Sequence, residues 1–347
     1  MTKTATKHHR MATKDKILEF LKSHETATSS EMCDVLGISR QALNVHLRSL
    51  INAGTVLKAG STRSSYYFLP DRRLETYHYK KTFTLSGLDE SRVYQQLAII
   101  LNLKQSLLKN QESIVNYVFT EMLNNAIDHS RTLKCHVLVS LDAAQLKFEI
   151  LDNGIGVFES IASKLTLEDE HAAMIELIKG KTTTMPEAHS GEGIFFSSKA
   201  ADKFTLQSHT IQIEWDRALD DVFVSKPRYQ KGTRVSFHLR RDSRTKLENV
   251  FSEFAPEEYD FQFQKTKVMI KLLKTDYISR SEAKRLQVNL DKFREVELDF
   301  KSVKQLGQGF ADEVFRIFAD KNPQLIINTS NTNPAIQAMI NHVRNIK

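Results

Sequence analysis

Residues 121–130, EMLNNAIDHS, and residues 151–157, LDNGIGV, decide how this chain is read. The first lies at the end of a stretch, 112–129, whose Val115, Val118, Phe119, Met122, Leu123, Ala126 and Ile127 fall on one broad apolar helical face. Glu121, Asn125 and Asp128 are spaced i, i+4, i+7 and share another face. A simple surface helix carries Lys–Glu pairs there. This face has no lysine or arginine. Acid, amide and acid beside an apolar face offer oxygen ligands to a cation such as Mg²⁺ held partly by phosphates.

Two strands follow, over 135–141 and 146–151, and the second runs into Asp152-Asn153-Gly154-Ile155-Gly156. An acid at a strand end followed by two glycines lets backbone approach a flat ligand, and the carboxylate can accept from an exocyclic amine. Ser190-Gly191-Glu192-Gly193-Ile194 then leads into helical sequence over 195–201, a glycine turn at a helix N-terminus that suits a phosphate. Lys231-Gly232-Thr233 opens a strand over 234–239. Each piece alone is a weak signal; the order and spacing together are specific.

These motifs resemble the GHKL ATPases, the family of gyrase B subunits, heat-shock chaperones, mismatch-repair ATPases, histidine kinases and anti-sigma kinases. EMLNNAIDHS matches the family's N box, LDNGIGV its first glycine box, HSGEGIF (189–195) its second and KGT (231–233) its terminal strand. The resemblance covers roughly 85–240 and implies ATP and Mg²⁺ as ligands. Carried over, it makes Asn125 the Mg²⁺ ligand and Asp152 the reader of the adenine amine, supported by Thr233 through water. Gly154 and Gly156 would approach the base. Ser190, Gly191, Gly193 and Ile194 would meet the phosphates. Glu121 would be the general base, with Asp128 a supporting carboxylate or ligand contact. Residues 157–189 would form a mobile lid, from which Lys179, Lys181 and Thr182 to Thr184 could reach phosphates, although any one of them reads better as part of a solvated loop. A histidine kinase is disfavoured: no phosphoacceptor helix precedes this region, and His78 sits in extended Tyr77-His78-Tyr79.

Outward from this centre, the N-terminal side reads as three short helices and a hairpin. Ile17, Leu18, Phe20 and Leu21 mark the first helix, and Met32, Val35 and Leu36 the second, which ends at Gly37. Ser39 can cap a third, 40–52, with Leu43, Leu47 and Leu50 inward. A hairpin with a basic tip follows, through Lys58 and Arg63. SSEMCDVLGISRQALNVHLRSLINAGTVLKAG (29–60) resembles the winged helix-turn-helix family. The resemblance implies a double-stranded DNA partner, with the third helix in the major groove. Ser39, Arg40, Gln41, Asn44, His46 and Arg48 are its outward residues, with Lys58 and Arg63 placed for phosphates or the minor groove. His46 alone reads better as a surface residue than as a specific reader.

On the C-terminal side, strands at 268–270, 296–300 and 325–328 alternate with helices at 279–293, 309–318 and 334–343, the spacing of a small α/β domain. LDFKSVKQLGQGFADEVFRIF (298–318) resembles the STAS-like fold of anti-anti-sigma proteins, especially a family known only as a domain of unknown function. Anti-sigma kinases phosphorylate a serine in the loop before the helix of such a domain. Here that loop is Gly307-Gln308-Gly309-Phe310, without a hydroxyl, and Ser302 lies earlier. The expectation is therefore a domain that docks against the ATP-binding domain or a separate protein partner.

The whole chain has 347 residues, 41% hydrophobic and 26% charged, an ordinary composition for more than one domain. The expected organisation is α+β and multidomain: a basic tail over 1–10, a winged helix over 11–70, a two-layer GHKL α/β sandwich with a mixed sheet over 77–242, and a STAS-like domain over 257–347. The net charge of +7 suits a polyanionic partner only in company with a motif. Cys33 and Cys135 form no C-x-x-C pair, which excludes a zinc or disulfide framework. No apolar run approaches the roughly 20 residues of a membrane span, and the polar N-terminus lacks the apolar core of a secretory signal, so the expected compartment is the cytoplasm. The leading reading is an ATP-responsive transcription regulator, as a homodimer by the usual symmetry of such DNA readers. The alternatives are an anti-sigma-type serine kinase acting on a separate partner, and a DNA-associated ATPase.

Overall fold

The computed structural model describes residues 13–24, 27–52, 55–59, 65–69, 77–181, 192–260, 262–273 and 277–345. The chain falls into two units, one of Met1–Tyr77 with Leu141–Gln145 and Arg240–Asp242, the other of His78–Ser140, Leu146–Leu239 and Ser243–Lys347.

The first unit runs α1 (Thr13–Ser23), β1 (Ala27–Thr28), α2 (Ser29–Leu36), α3 (Arg40–Asn52), β2 (Leu57–Ala59) and β3 (Tyr66–Phe68). Helix α2 begins where Thr28 and Glu31 satisfy each other's backbone N–H groups, at 3.3 and 2.7 Å. It ends at Gly37, whose φ of 64° places it in the left-handed region. The cap is Thr28, immediately before Ser29. Ile17, Met32, Leu43, Leu47 and Val56 fill the core between the helices and the small sheet. Strand β1 joins that sheet in the order β1-β3-β2; two residues long, it has no periodicity to announce it.

The second unit is built on a seven-stranded sheet in the order β4-β5-β6-β10-β7-β8-β9. Its strands are β4 (Tyr77–Thr84), β5 (Lys134–Leu141), β6 (Gln145–Asp152), β7 (Lys203–His209), β8 (Ile211–Asp216), β9 (Asp221–Ser225) and β10 (Gln230–Arg240). The registers along β10, β7, β8 and β9 are antiparallel. Helices α4 (Glu90–Ile100), α5 (Leu103–Ser106) and α6 (Lys109–His129) follow β4; α7 (Val157–Leu165), α8 (Glu170–Lys179) and α9 (Gly193–Ala200) lie between β6 and β7. The stripe read on 112–129 is the buried face of α6, which also takes Gln111 and Ile114 inward but leaves Ile127 half-buried. Phe119 meets Phe148 edge-on at 5.4 Å, and Phe148 stacks on Phe237 at 4.7 Å, so α6, β6 and β10 share one aromatic column.

The rest of this unit holds α10 (Leu247–Phe254), β11 (Lys265–Met269), β12 (Tyr277–Ile278), α11 (Arg280–Gln287), β13 (Glu295–Asp299), β14 (Gln305–Leu306), α12 (Gln308–Asp312), α13 (Ala319–Lys321), β15 (Ile326–Ser330) and α14 (Pro334–Arg344). Strands β11, β13 and β15 are parallel and in register, Lys265 beside Glu295 beside Ile326. Helix α12 continues through a π turn, Glu313–Phe318. Helix α11 stops at Gln287, short of the predicted 293, because Asn289 turns the chain at φ 58°. The apolar cluster of this region takes in Phe195 and Phe196 of α9 and Val250 and Phe254 of α10. The C-terminal strands and helices therefore pack as part of the core that α9 and α10 begin.

Candidate functional site

Asp152 continues the inward row of β6 after Leu146, Phe148 and Ile150, so strand alternation alone carries its carboxylate inside, 5% exposed. Its Oδ1 accepts from the N–H of Gly154 at 2.8 Å and of Thr233 at 3.3 Å. Burial pushes this carboxyl above the ordinary aspartate range, and those two N–H donors pull it part of the way back. The hydroxyl oxygen of Thr233 accepts from Val157 N–H at 3.0 Å, which caps the first turn of α7.

The glycines of this site make room for protein. A Cβ on Gly154 would sit 1.8 Å from the carbonyl oxygen of Ser130, which also accepts from Ile155 N–H at 3.0 Å. The loop is thereby seated on the residue that ends the α6 motif. Gly156, at φ 83°, lies against Ser208 Oγ and the His209 ring. Gly232, at φ 75°, lies against the carbonyl of Asp152, where the β10–β7 register shifts between Gln230 and Thr233. The KGT motif is thus a β-bulge that re-aims Thr233 toward Asp152.

On α6, Glu121 and Asn125 are half-buried and Asp128 is exposed. A Cβ on Gly193 would meet Glu121 Oε2 at 2.0 Å, so the Glu121 carboxylate stands against the first turn of α9. Glu192 occupies the N-cap of that helix, and the charges of Glu121 and Glu192, after burial, raise the Tyr117 hydroxyl. Two carboxylates thus gather where the backbone N–H groups of α9 point outward. Asn125 Nδ2 makes a long contact, 3.9 Å, to Met122 Sδ. Ile194 is half-buried in the first turn of α9. Ser190, Gly191 and Thr182 to Thr184 lie outside the described residues.

The predicted lid is largely something else. Over 157–179 it forms α7 and α8, and residues 173–180 are buried. Lys179, read as a solvated lid residue that could reach phosphates, is 1% exposed. Its ammonium donates to Glu176, to the carbonyl of Arg285 at 3.3 Å and to that of Val288 at 2.8 Å, which uses all three of its N–H groups. Glu176 also accepts from Asn289 Nδ2 at 2.8 Å, and Thr266 Oγ1 donates to Lys179's carbonyl at 2.6 Å. Lys181 donates to the carbonyl of Lys292 at 2.7 Å and lies 4.7 Å from the centre of the Phe293 ring. Both lysines face the C-terminal segment. Sequence patterning missed this because a lysine near glycines gives the same signal whether its partner is a phosphate or a carbonyl.

Three family models match, each over one region. Residues 12–56 match a winged helix-turn-helix DNA-binding model. Residues 110–243 match the histidine kinase-, DNA gyrase B- and HSP90-like ATPase model, and residues 282–337 a STAS-like domain of unknown function. The chain joins a winged helix, a GHKL-type ATPase domain and a STAS-like domain. No curated protein matches it by sequence.

In the ATPase domain, the buried Asp152 with backbone donors on one oxygen is an acceptor suited to an adenine amine, and the domain type implies ATP binding. Asn125, half-buried on the α6 face that also carries Glu121 and Asp128, offers an amide oxygen of the kind a cation shared with phosphates and water would take, and no group of three His, Cys, Asp or Glu is gathered among the described residues. The donor set fits. In the winged helix, Ser39, Arg40, Gln41, Asn44, Arg48 and Lys58 are exposed and His46 is half-buried. Ser39 Oγ accepts from Ala42 N–H at 3.2 Å as the cap of α3. Arg63 lies outside the described residues. Among the described residues, no helix is long and apolar enough to cross a membrane.

Sequence reading did not single out Glu192 as a charge, nor Ser130 as the seat of the glycine loop. It also missed His209, whose Nδ1 bonds Glu170 and whose ring stacks on Tyr229 at 5.3 Å, against Gly156. Of these, only Glu192 carried a signal, as the acid inside HSGEGIF.

Proposed function

We propose that this protein is a DNA-binding transcription regulator in which Mg-ATP at the ATPase domain sets the affinity of the winged helix, with the STAS-like domain as relay. The observation that carries the relay is the lock at the end of α8. The chain between Asp152 and the second glycine box passes through α7 and α8, and its last helical turn is fixed to the STAS-like domain by Lys179, Glu176 and Asn289. A shift in α8 is therefore felt by the STAS-like domain, because separating them strands a buried charge.

In this reading Asp152 accepts from the adenine amine and Thr233 holds Asp152 in place. Gly154 and Gly156 keep the loop seated beside the base. Asn125 would hold Mg²⁺, whose charge would offset that of the phosphates, and Asp128 would support it from the next turn. Gly193 and Ile194, at the head of α9, would meet the phosphates together with Ser190 and Gly191 of the same motif. Glu121, beside Gly193, orients and polarises the attacking water.

The test is fluorescence anisotropy of the full chain on duplex DNA selected from a random pool, with and without Mg-ATP. The expected result is a change in affinity of about five-fold or more, absent in Asp152→Asn. Equal affinities under conditions where ATP binding is verified would overturn the regulator reading. The position of Glu121 also favours a second reading, an ATPase with real turnover. No phosphate release above background where ATP binding is verified would exclude it, and release that persists unchanged in Glu121→Ala would remove Glu121 as its base.

A further inference from the structure

The outward face of α3 carries a side chain that folding does not explain. Leu43, Leu47 and Leu50 point inward, at most 5% exposed. Val45 stands two residues from Leu43 and from Leu47, so helical geometry puts it at the centre of the opposite face. It is 66% exposed. A β-branched residue lowers helix propensity by a few tenths of a kcal/mol, and an exposed one regains little through packing. Ala42, one turn back, is also exposed.

The surroundings indicate what Val45 meets. Gln41 and Arg48 lie one turn to either side and Asn44 is adjacent, all exposed. Helix α3 contains no Asp or Glu. Val35, 65% exposed on α2, has the opposite company: Glu31 and Asp34 are exposed beside it. An apolar spot ringed by amides and a guanidinium, with no acid on its helix, complements a polyanion that offers apolar groups between hydrogen-bonding edges. The major groove has one such group, the C5-methyl of thymine.

We infer that Val45, with Ala42 beside it, reads thymine methyl groups in the major groove, while Gln41, Asn44 and Arg48 hydrogen-bond the flanking base edges. The inference rests on the DNA-binding reading of the winged helix and adds to it a base preference. The recognised duplex has thymine at the base step facing Val45, and the contact is with the methyl group alone.

Deoxyuridine tests this directly, since it removes the methyl and keeps every hydrogen-bonding group. The full-length protein is used to select a duplex from a random pool, and each thymine of the selected site is then replaced by uracil in turn. At one or two positions uracil weakens binding by about four-fold per methyl. In Val45→Ala the same replacement has little further effect, because the two losses are one contact. An unchanged melting temperature shows that Val45→Ala is folded, and Lys58→Ala, at an exposed residue placed for phosphates, serves as a variant that loses affinity for all duplexes. Uracil replacement that is silent throughout, or equally costly in wild type and Val45→Ala, overturns the inference while leaving DNA binding intact. Failure to bind any duplex, with or without Mg-ATP, overturns the DNA-binding reading itself and this inference with it.

Discussion

Asp152, as the proposed acceptor of the adenine amine, would serve ligand and fold in opposite senses. Its carboxyl is raised by burial, so the charged form is penalised in the folded state. The contribution to stability is therefore fully present below the ordinary aspartate value and is lost as pH rises through the raised one. At neutral pH Asp152 is a standing penalty, which an amine donor on the ligand would offset. Asp152→Asn keeps an oxygen for Gly154 and Thr233 and removes the charge. The expected outcome is an apo protein that melts no lower than wild type at pH 7 but binds ATP about 10- to 100-fold more weakly, the worth of a hydrogen bond to a charged group. Calorimetry of both variants checks it; a destabilised apo protein with intact ATP affinity would reverse the assignment. Glycine plays an equally local part. At Gly154 and Gly193 the space a side chain would need is already taken by Ser130 and Glu121. A substitution there is expected to disturb the loop or the carboxylate even without ligand.

The informative element is α8. Its buried ion pair satisfies every N–H of Lys179, and Asn289 adds a donor to Glu176, so removing one partner strands the other. Lys179→Met is expected to cost about 3–5 kcal/mol in chemical denaturation, and the double variant Lys179→Met, Glu176→Leu distinctly less, because burying two apolar groups avoids the stranded charge. A single variant that denatures like wild type would mean the pair is not closed in solution. This element also marks where the sequence stopped being legible. The helices α6 and α3, the β5–β6 pair and Asp152 could all be read, because periodicity and strand alternation set by burial leave a direct trace in residue order. The bulge at Gly232, the two-residue β1 and the lock of Lys179 onto the carbonyls of Arg285 and Val288 could not. Each depends on partners more than twenty residues away, and a carbonyl partner has no residue identity to read. The STAS-like domain was legible as strands and helices, and its docking on the ATP-binding domain or a partner was expected, while the residues that make the contact were not legible, since Phe195 and Phe263 look like ordinary core wherever they pack.

At the scale of the second unit, the ATPase and STAS-like domains share their interior. Phe195 meets Phe254 at 5.0 Å and Phe263 at 4.6 Å, and Phe196 meets Phe251 at 4.6 Å, so one aromatic cluster spans α9, α10 and the approach to β11. Removing residues 257–347 would uncover Phe195, Phe196, Val250 and Phe254 together. Burial of each such phenylalanine is worth about 1.5–3 kcal/mol against a total stability of only about 5–15. The truncated chain is expected to aggregate or to melt well below the full one in sedimentation and thermal scans. A monomeric fragment with undiminished melting temperature would show that the shared interior is dispensable. The same cluster limits how this chain could have been assembled and how it could be re-engineered. Interchangeable domains part at a tether that few contacts cross. A splice placed near residue 256 would instead divide a single oil drop, giving donor and recipient half each. The two domains are expected to be inherited, and grafted, as one cassette, and a new sensor domain could be recruited here only if it brought a matching set of aromatics for α9 and α10.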